Sequence, residues 1–144
     1  LAAFWFDAKL AAHVAREQVM SVVQGTPVAF VHVSDRQRAL DFYAGKLGLV
    51  VRSSDPFGDF LEAGAALVRL TALPDYTAGA HPVLGWHVDD IEAGVKTLTE
   101  RGVVFTIYEG FGQDALGIWT APGGGARVAW FADPDGNVLS LSQG

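Results

Sequence analysis

The pentapeptide Val31-His32-Val33-Ser34-Asp35 returns 55 positions later as Trp86-His87-Val88-Asp89-Asp90. Each copy ends an apolar, β-branched run and places an acidic residue where a helix would begin. Self-similarity at a fixed spacing marks a repeated supersecondary unit. The chain is therefore expected to fold as two copies of one motif rather than as a single irregular core.

Reading outward from the two corners fills in the unit. Residues 28–33 form a short strand. Asp35 is placed to cap a helix whose apolar positions Leu40, Tyr43 and Leu47 recur at helical spacing, and Gly48 stands where a left-handed stop is wanted. Three strands follow, over residues 49–54, 57–64 and 66–73. The second half repeats the order: a strand at 83–88, Asp89 or Asp90 as cap, a stripe of Ile91, Val95 and Leu98, and Gly102 as stop. Strands are expected at 103–108, 126–133 and 137–143, with Asp133-Pro134-Asp135-Gly136 as a tight turn. An added stretch at 112–125 carries a short strand near Leu116–Thr120, and its triple glycine at 123–125 reads as a hinge. The last strands correspond at an offset of 71, Ala66–Thr71 lying over Asn137–Ser142. The fold class is α+β: two β-α-β-β-β modules, residues 27–72 and 82–143, within one domain over 26–144.

Residues 1–25 stand apart. Asp7 is placed to cap a helix to about Val22 with Leu10 and Val14 on one face, and Met20 is the sole methionine. The segment is expected to be either an N-terminal arm or a stretch added ahead of a natural start at Met20.

Composition narrows the function. A net charge of −6 argues against a nucleic-acid surface, which needs clustered Lys and Arg. The absence of cysteine removes disulfides, thiolate metal sites and cysteine nucleophiles. No apolar run approaches the roughly 18–20 residues of a membrane span, and Asp7 and Lys9 interrupt the opening so that no secretory signal is read. A soluble cytoplasmic protein is expected.

The stretches 33–49, 87–105 and 128–143 together resemble the vicinal oxygen chelate superfamily, which takes in glyoxalases, bleomycin-resistance proteins and extradiol dioxygenases. The resemblance extends over essentially residues 27–143. It implies eight strands in a curved mixed sheet around a central cavity, with the helices outside. It also implies, for metal-using members, a ligand five residues before the helix-start valine and another on each last strand. Here those four positions are Val28, Val83, Arg69 and Ser140. None is a usual ligand, and a one-residue slip would flip each strand's faces. No metal and no cofactor are expected. His32 and His87 lie four residues further along, each roughly 13 Å along its strand from the ligand point, and the pseudo-twofold of the repeat sends them to opposite ends, too far apart to share an ion. His81 could approach the ligand point if Pro82 introduces a bulge. His13 lies outside the domain.

Strand parity then nominates the cavity lining. Val28, Phe30 and His32 share a face, as do Leu67, Arg69 and Thr71, then Val83, Gly85 and His87, then Val138, Ser140 and Ser142. Phe105, Tyr108, Phe111, Trp119 and Trp130 could add flat surfaces, and Glu62 and Glu109 are the carboxylates best placed for base chemistry. The candidate ligand-binding set is Phe30, His32, Arg69, His87, Tyr108, Trp119, Trp130 and Ser140; catalytic residues are left unassigned. For Arg69 an ion pair with a neighbouring strand is the alternative to a ligand role.

Two function classes follow. The first is a metal-free receptor of the bleomycin-resistance kind, conferring antibiotic resistance by holding a small organic molecule, cationic or aromatic, in a homodimer. Pro27 would then be either a hinge for arm exchange or a plain strand start. The second is a metal-dependent lyase, isomerase or dioxygenase with a rearranged ligand set drawn from His81, Glu62 and Glu109, or a metal-free enzyme using His32 or His87 as acid–base. A regulatory domain with a vestigial cavity is a third. Whether any reaction is catalysed stays open, since fold does not decide function.

Overall fold

The β-branched run that opens each repeat forms an alternating strand, and the alternation positions everything else. In β1 (Val28–Val33), Val31 and Val33 are buried while Val28 and Phe30 are exposed. The structure is a computed structural model, and it describes residues 23–144. The helix expected from Asp7, the start at Met20 and His13 lie outside the described residues.

After β1, Asp35 accepts a hydrogen bond from the Arg38 amide at 3.0 Å and caps α1 (Arg36–Leu40). The helix then widens into a π-helical segment, Asp41–Lys46, where the Leu47 amide reaches back five residues to the Phe42 carbonyl. Gly48 ends it at φ 78°, a conformation glycine adopts without the Cβ penalty. Strands β2 (Val50–Asp55), β3 (Gly58–Ala63) and β4 (Ala66–Ala72) follow. The second module runs β5 (Pro82–His87), α2 (Ile91–Glu100), β6 (Trp119–Thr120), β7 (Arg127–Ala132) and β8 (Val138–Gln143). Asp90, not Asp89, caps α2, accepting from the Ala93 amide.

The strands form two four-stranded mixed sheets, ordered β1-β4-β3-β2 and β5-β8-β7-β6. The first and last long strands of each module pair in parallel, and the repeat is visible in their register. Phe30 lies opposite Arg69 in one sheet, and Gly85 opposite Ser140 in the other. These are the offsets of 55 and 71 read from the sequence.

One expected strand is absent. Residues 103–108 make only an isolated bridge, Phe105 to Phe131, and the Thr106 amide bonds the Trp130 carbonyl. The reason lies in Gln113. Its side-chain amide donates to the Thr106 and Gly117 carbonyls and accepts from the Tyr108 amide, so a side chain meets the backbone demand that a neighbouring strand would otherwise meet. The eighth strand is instead the two-residue β6, inside the added stretch.

The helix-side faces share one core. Tyr43, Leu61, Val68, Ile91, Ala129 and Leu139 are fully buried there. A polar clasp joins the modules inside it. The Tyr43 phenol donates to Asp133 Oδ2 at 2.7 Å, and Asn137 Nδ2 donates both to Asp133 and to the His32 carbonyl. Tyr76 donates to Asn137 Oδ1, and Ser34 to Asp135. The Asp-Pro-Asp-Gly-Asn turn of the second module thus holds the end of β1 from the first.

Candidate functional site

Because a strand's side chains alternate, the residues left over from the core line a second, open face on each sheet. Cross-strand register sorts them into rows. In the first sheet Phe30, Arg69 and Phe60 stand side by side; in the second the corresponding row is Gly85, Ser140 and Trp130. All eight candidate residues belong to open faces or to the loop beside them, but their surroundings differ.

The first sheet's row is self-contained. Arg69 is 9% exposed, and its Nη2 donates to Asp55 Oδ1 at 2.9 Å. Nη1 lies 2.8 Å from Oδ2 without a well-formed hydrogen bond. The guanidinium also lies over the Phe60 ring at 4.7 Å. The hydrogen bond from Arg69 and that from the Phe57 amide hold the Asp55 carboxyl at about 2, well below its usual value. Next to this pair, Arg36 grips Asp59 through two bonds of 2.9 Å. Burial opposes ionisation of Asp59, yet the bonds from Arg36 and Ser54 prevail and its pKa is lowered. Arg69 therefore has its countercharge inside the protein. His32 sits half-buried, its ring 5.8 Å from that of Tyr76. Phe30 is 67% exposed.

The second sheet carries an aromatic wall. Trp130 has the Tyr108 ring at 5.6 Å and nearly perpendicular, Phe111 at 6.0 Å, also edge-on, and Trp119 at 6.3 Å. The two perpendicular contacts suit the ring quadrupoles. Tyr108, Trp119 and Trp130 are half-buried, and Phe111 is 49% exposed. Trp119 is set by its pairing with Val128 on β7, so the added stretch contributes it from a strand edge rather than a free loop. His87 is exposed, with Nδ1 3.3 Å from Ser142 Oγ. Glu62 and Glu109 are exposed, and among the described residues their carboxylates have no hydrogen bond or ion pair.

Gln113 and Phe60 were not nominated from sequence. Gln113 positions Tyr108 by holding its amide and the Thr106 carbonyl before it, and Phe60 completes the Arg69 stack. No spacing rule marks a glutamine whose work is done on backbone atoms, whereas the parity of β3 could have found Phe60.

The aromatic wall is separate from an apolar hollow elsewhere among the described residues. That hollow, of about 480 Å³, lies on the helix side between α2 and the end of the π-helical segment, against Trp86, Leu98 and Leu141. It has no titratable side chain in its lining, which suits packing rather than chemistry.

A model of the Glyoxalase/Bleomycin resistance protein/Dioxygenase superfamily matches residues 25–141. The chain belongs to this superfamily. Among solved structures, a glyoxalase/bleomycin-resistance superfamily member from Sphaerobacter thermophilus is 30% identical, with a TM-score of 0.63 over 86% of this chain and 100% of that one. TnmS3, an antibiotic binding protein from Streptomyces sp. CB03234, is 28% identical, with a TM-score of 0.61 over 85% and 98%. A glyoxalase family protein from Bacillus anthracis shares the fold at 13% identity, with a TM-score of 0.65 over 87% and 98%. No curated protein matches in sequence.

Membership in the glyoxalase superfamily raises the question of a divalent ion. The positions that the resemblance assigns to ligands hold two valines, a cation committed to Asp55 and a hydroxyl. A bulge does occur at Val83, where the β5–β8 register shifts, yet His81 stays exposed. Among the described residues no three His, Asp or Glu side chains lie close enough to hold a metal ion. The donor set does not fit one.

Proposed function

We propose that this superfamily member is a receptor that holds a flat, aromatic small molecule against Trp130 on the open face of the second sheet, without a divalent metal. The observation that carries the reading is the wall itself. Three aromatic rings surround Trp130, Tyr108 and Phe111 nearly perpendicular to it and Trp119 tilted, on a surface the core does not need, and together they offer flat area for stacking. The likeness to an antibiotic binding protein supports drug sequestration as the use of that site. Exposure of Val28, Phe30 and Val83 along the open faces supports a homodimer in which a second copy closes over the ligand.

The test is a fluorescence-quenching titration of purified protein with planar and cationic antibiotics, alongside elemental analysis without chelator. Saturable quenching with no stoichiometric divalent metal supports the receptor. One metal ion per chain, with no quenching by any compound, contradicts it and returns the enzyme reading to the front.

A further inference from the structure

The two modules place equivalent residues in equivalent rows, and the rows differ in a way that specifies ligand chemistry. In the first sheet the row is filled and its charge is paired: Phe30 projects from β1, and Arg69 is stacked on Phe60 and paired with Asp55. In the second sheet the position of Phe30 is taken by Gly85, the position of Arg69 by Ser140, and the position of Phe60 by Trp130. A phenyl ring has become a gap, and a neutralised cation has become a hydroxyl.

Gly85 is needed for that arrangement. A Cβ built on it would meet Ser140 Oγ at 2.4 Å, well inside van der Waals contact. With glycine there, the serine hydroxyl leans across the strand pair into the space that a side chain would claim. Ser140 is half-buried and its hydroxyl makes no hydrogen bond among the described residues, although Ser142, two residues on along the same face, engages His87. Trp130 stands directly across the pair from Ser140. The row thus presents a ring wall and one unengaged hydroxyl that no side chain on Gly85 covers. No charged group lies in it.

We infer that Ser140 donates its hydroxyl hydrogen to an uncharged oxygen on the ligand's aromatic frame, and that Gly85 supplies the depth that lets this oxygen reach it. The class of ligand is then a planar, neutral, carbonyl-bearing polycycle. This rests on the receptor reading above, because the hydroxyl matters only if a ring lies against Trp130. A neutral hydrogen bond that replaces one to water contributes a several-fold preference rather than an absolute one.

Two probes of nearly one shape isolate the effect: fluorene, which has no oxygen, and fluorenone, which carries a ring carbonyl. Their affinities are measured by equilibrium dialysis for the wild type, Ser140→Ala and Gly85→Ala. Comparing the fluorenone-to-fluorene ratio between proteins cancels their unequal solubility in water. The ratio is expected to fall roughly fivefold in Ser140→Ala. It is expected to fall also in Gly85→Ala, whose methyl group displaces the hydroxyl. An equal ratio in the wild type and Ser140→Ala overturns the inference while leaving the receptor standing. Binding of neither probe to the wild type overturns the receptor reading, and the inference with it.

Discussion

Tyr43 and Asp133, ninety positions apart in the chain, meet at 2.7 Å in the buried junction between the two modules. Burial, followed by the charge and hydrogen bond of Asp133, pushes the Tyr43 phenol far above its ordinary value, so it remains a donor at any workable pH. Asp133 in turn accepts from Asn137, whose amide also holds the end of β1. Tyr43→Phe keeps the ring and removes one bond to a buried carboxylate. It should cost about 2 kcal/mol of stability in denaturant unfolding, the range for hydrogen bonds to charged groups. A loss below a few tenths would mean the junction does not depend on the clasp.

The Arg69–Asp55 pair sets an acid limb. Asp55 has a folded pKa of about 2 against an ordinary value of 3.8, and Asp59 is also lowered. A depressed carboxylate contributes stability that is present above the unfolded pKa and is lost as pH falls through the folded one. Thermal unfolding midpoints should therefore drop between about pH 4 and pH 2. In Asp55→Asn that drop should be shallower. An identical acid limb in both proteins would remove Asp55 from the account.

Gln113 should act on the site without touching a ligand. Its three hydrogen bonds hold residues 106–108 to Gly117, and Gln113→Ala frees all three backbone partners. Amide exchange should accelerate across residues 105–118 and not in β1 or β4. Affinity for planar ligands should fall several-fold, through a looser Tyr108. Unchanged exchange in that stretch would contradict the positioning role.

Much of this arrangement was legible in the sequence because it obeys two periods. The recurrence of His-Val before an acidic cap located both strand-to-helix corners, and the offsets of 55 and 71 matched the first and last strands of one module to those of the other, Phe30 to Gly85 and Arg69 to Ser140. Parity placed the open faces. What stayed illegible depends on contacts between residues remote in the chain. Residues 103–108 have strand composition, but the Gln113 side chain takes the backbone bonds that would make them one. Arg69 could have met either a ligand or an internal carboxylate, and only the β2–β3 hairpin brings Asp55 to it. That Trp130 gathers Tyr108, Phe111 and Trp119 follows from the path of residues 105–120, which no periodicity records.

Trp130→Ala separates stacking from general stickiness. Removing the indole takes away the ring that the other three aromatics brace, and affinity for planar antibiotics should fall at least tenfold, the scale of a buried aromatic contact of about 1.5 kcal/mol or more. Trp119→Ala, at the edge of the wall, should cost less. Equal affinity in the wild type and Trp130→Ala would remove the wall from the site.

The most direct measurement follows the indole N–H resonances while a planar ligand is titrated in. Trp119 and Trp130 stand on the open face of the second sheet, and Trp86 lines the hollow on its helix side. Saturable shifts at Trp119 and Trp130 with Trp86 unmoved are the predicted result. Shifts at Trp86 with the other two unmoved would place the ligand in the helix-side hollow and contradict the account.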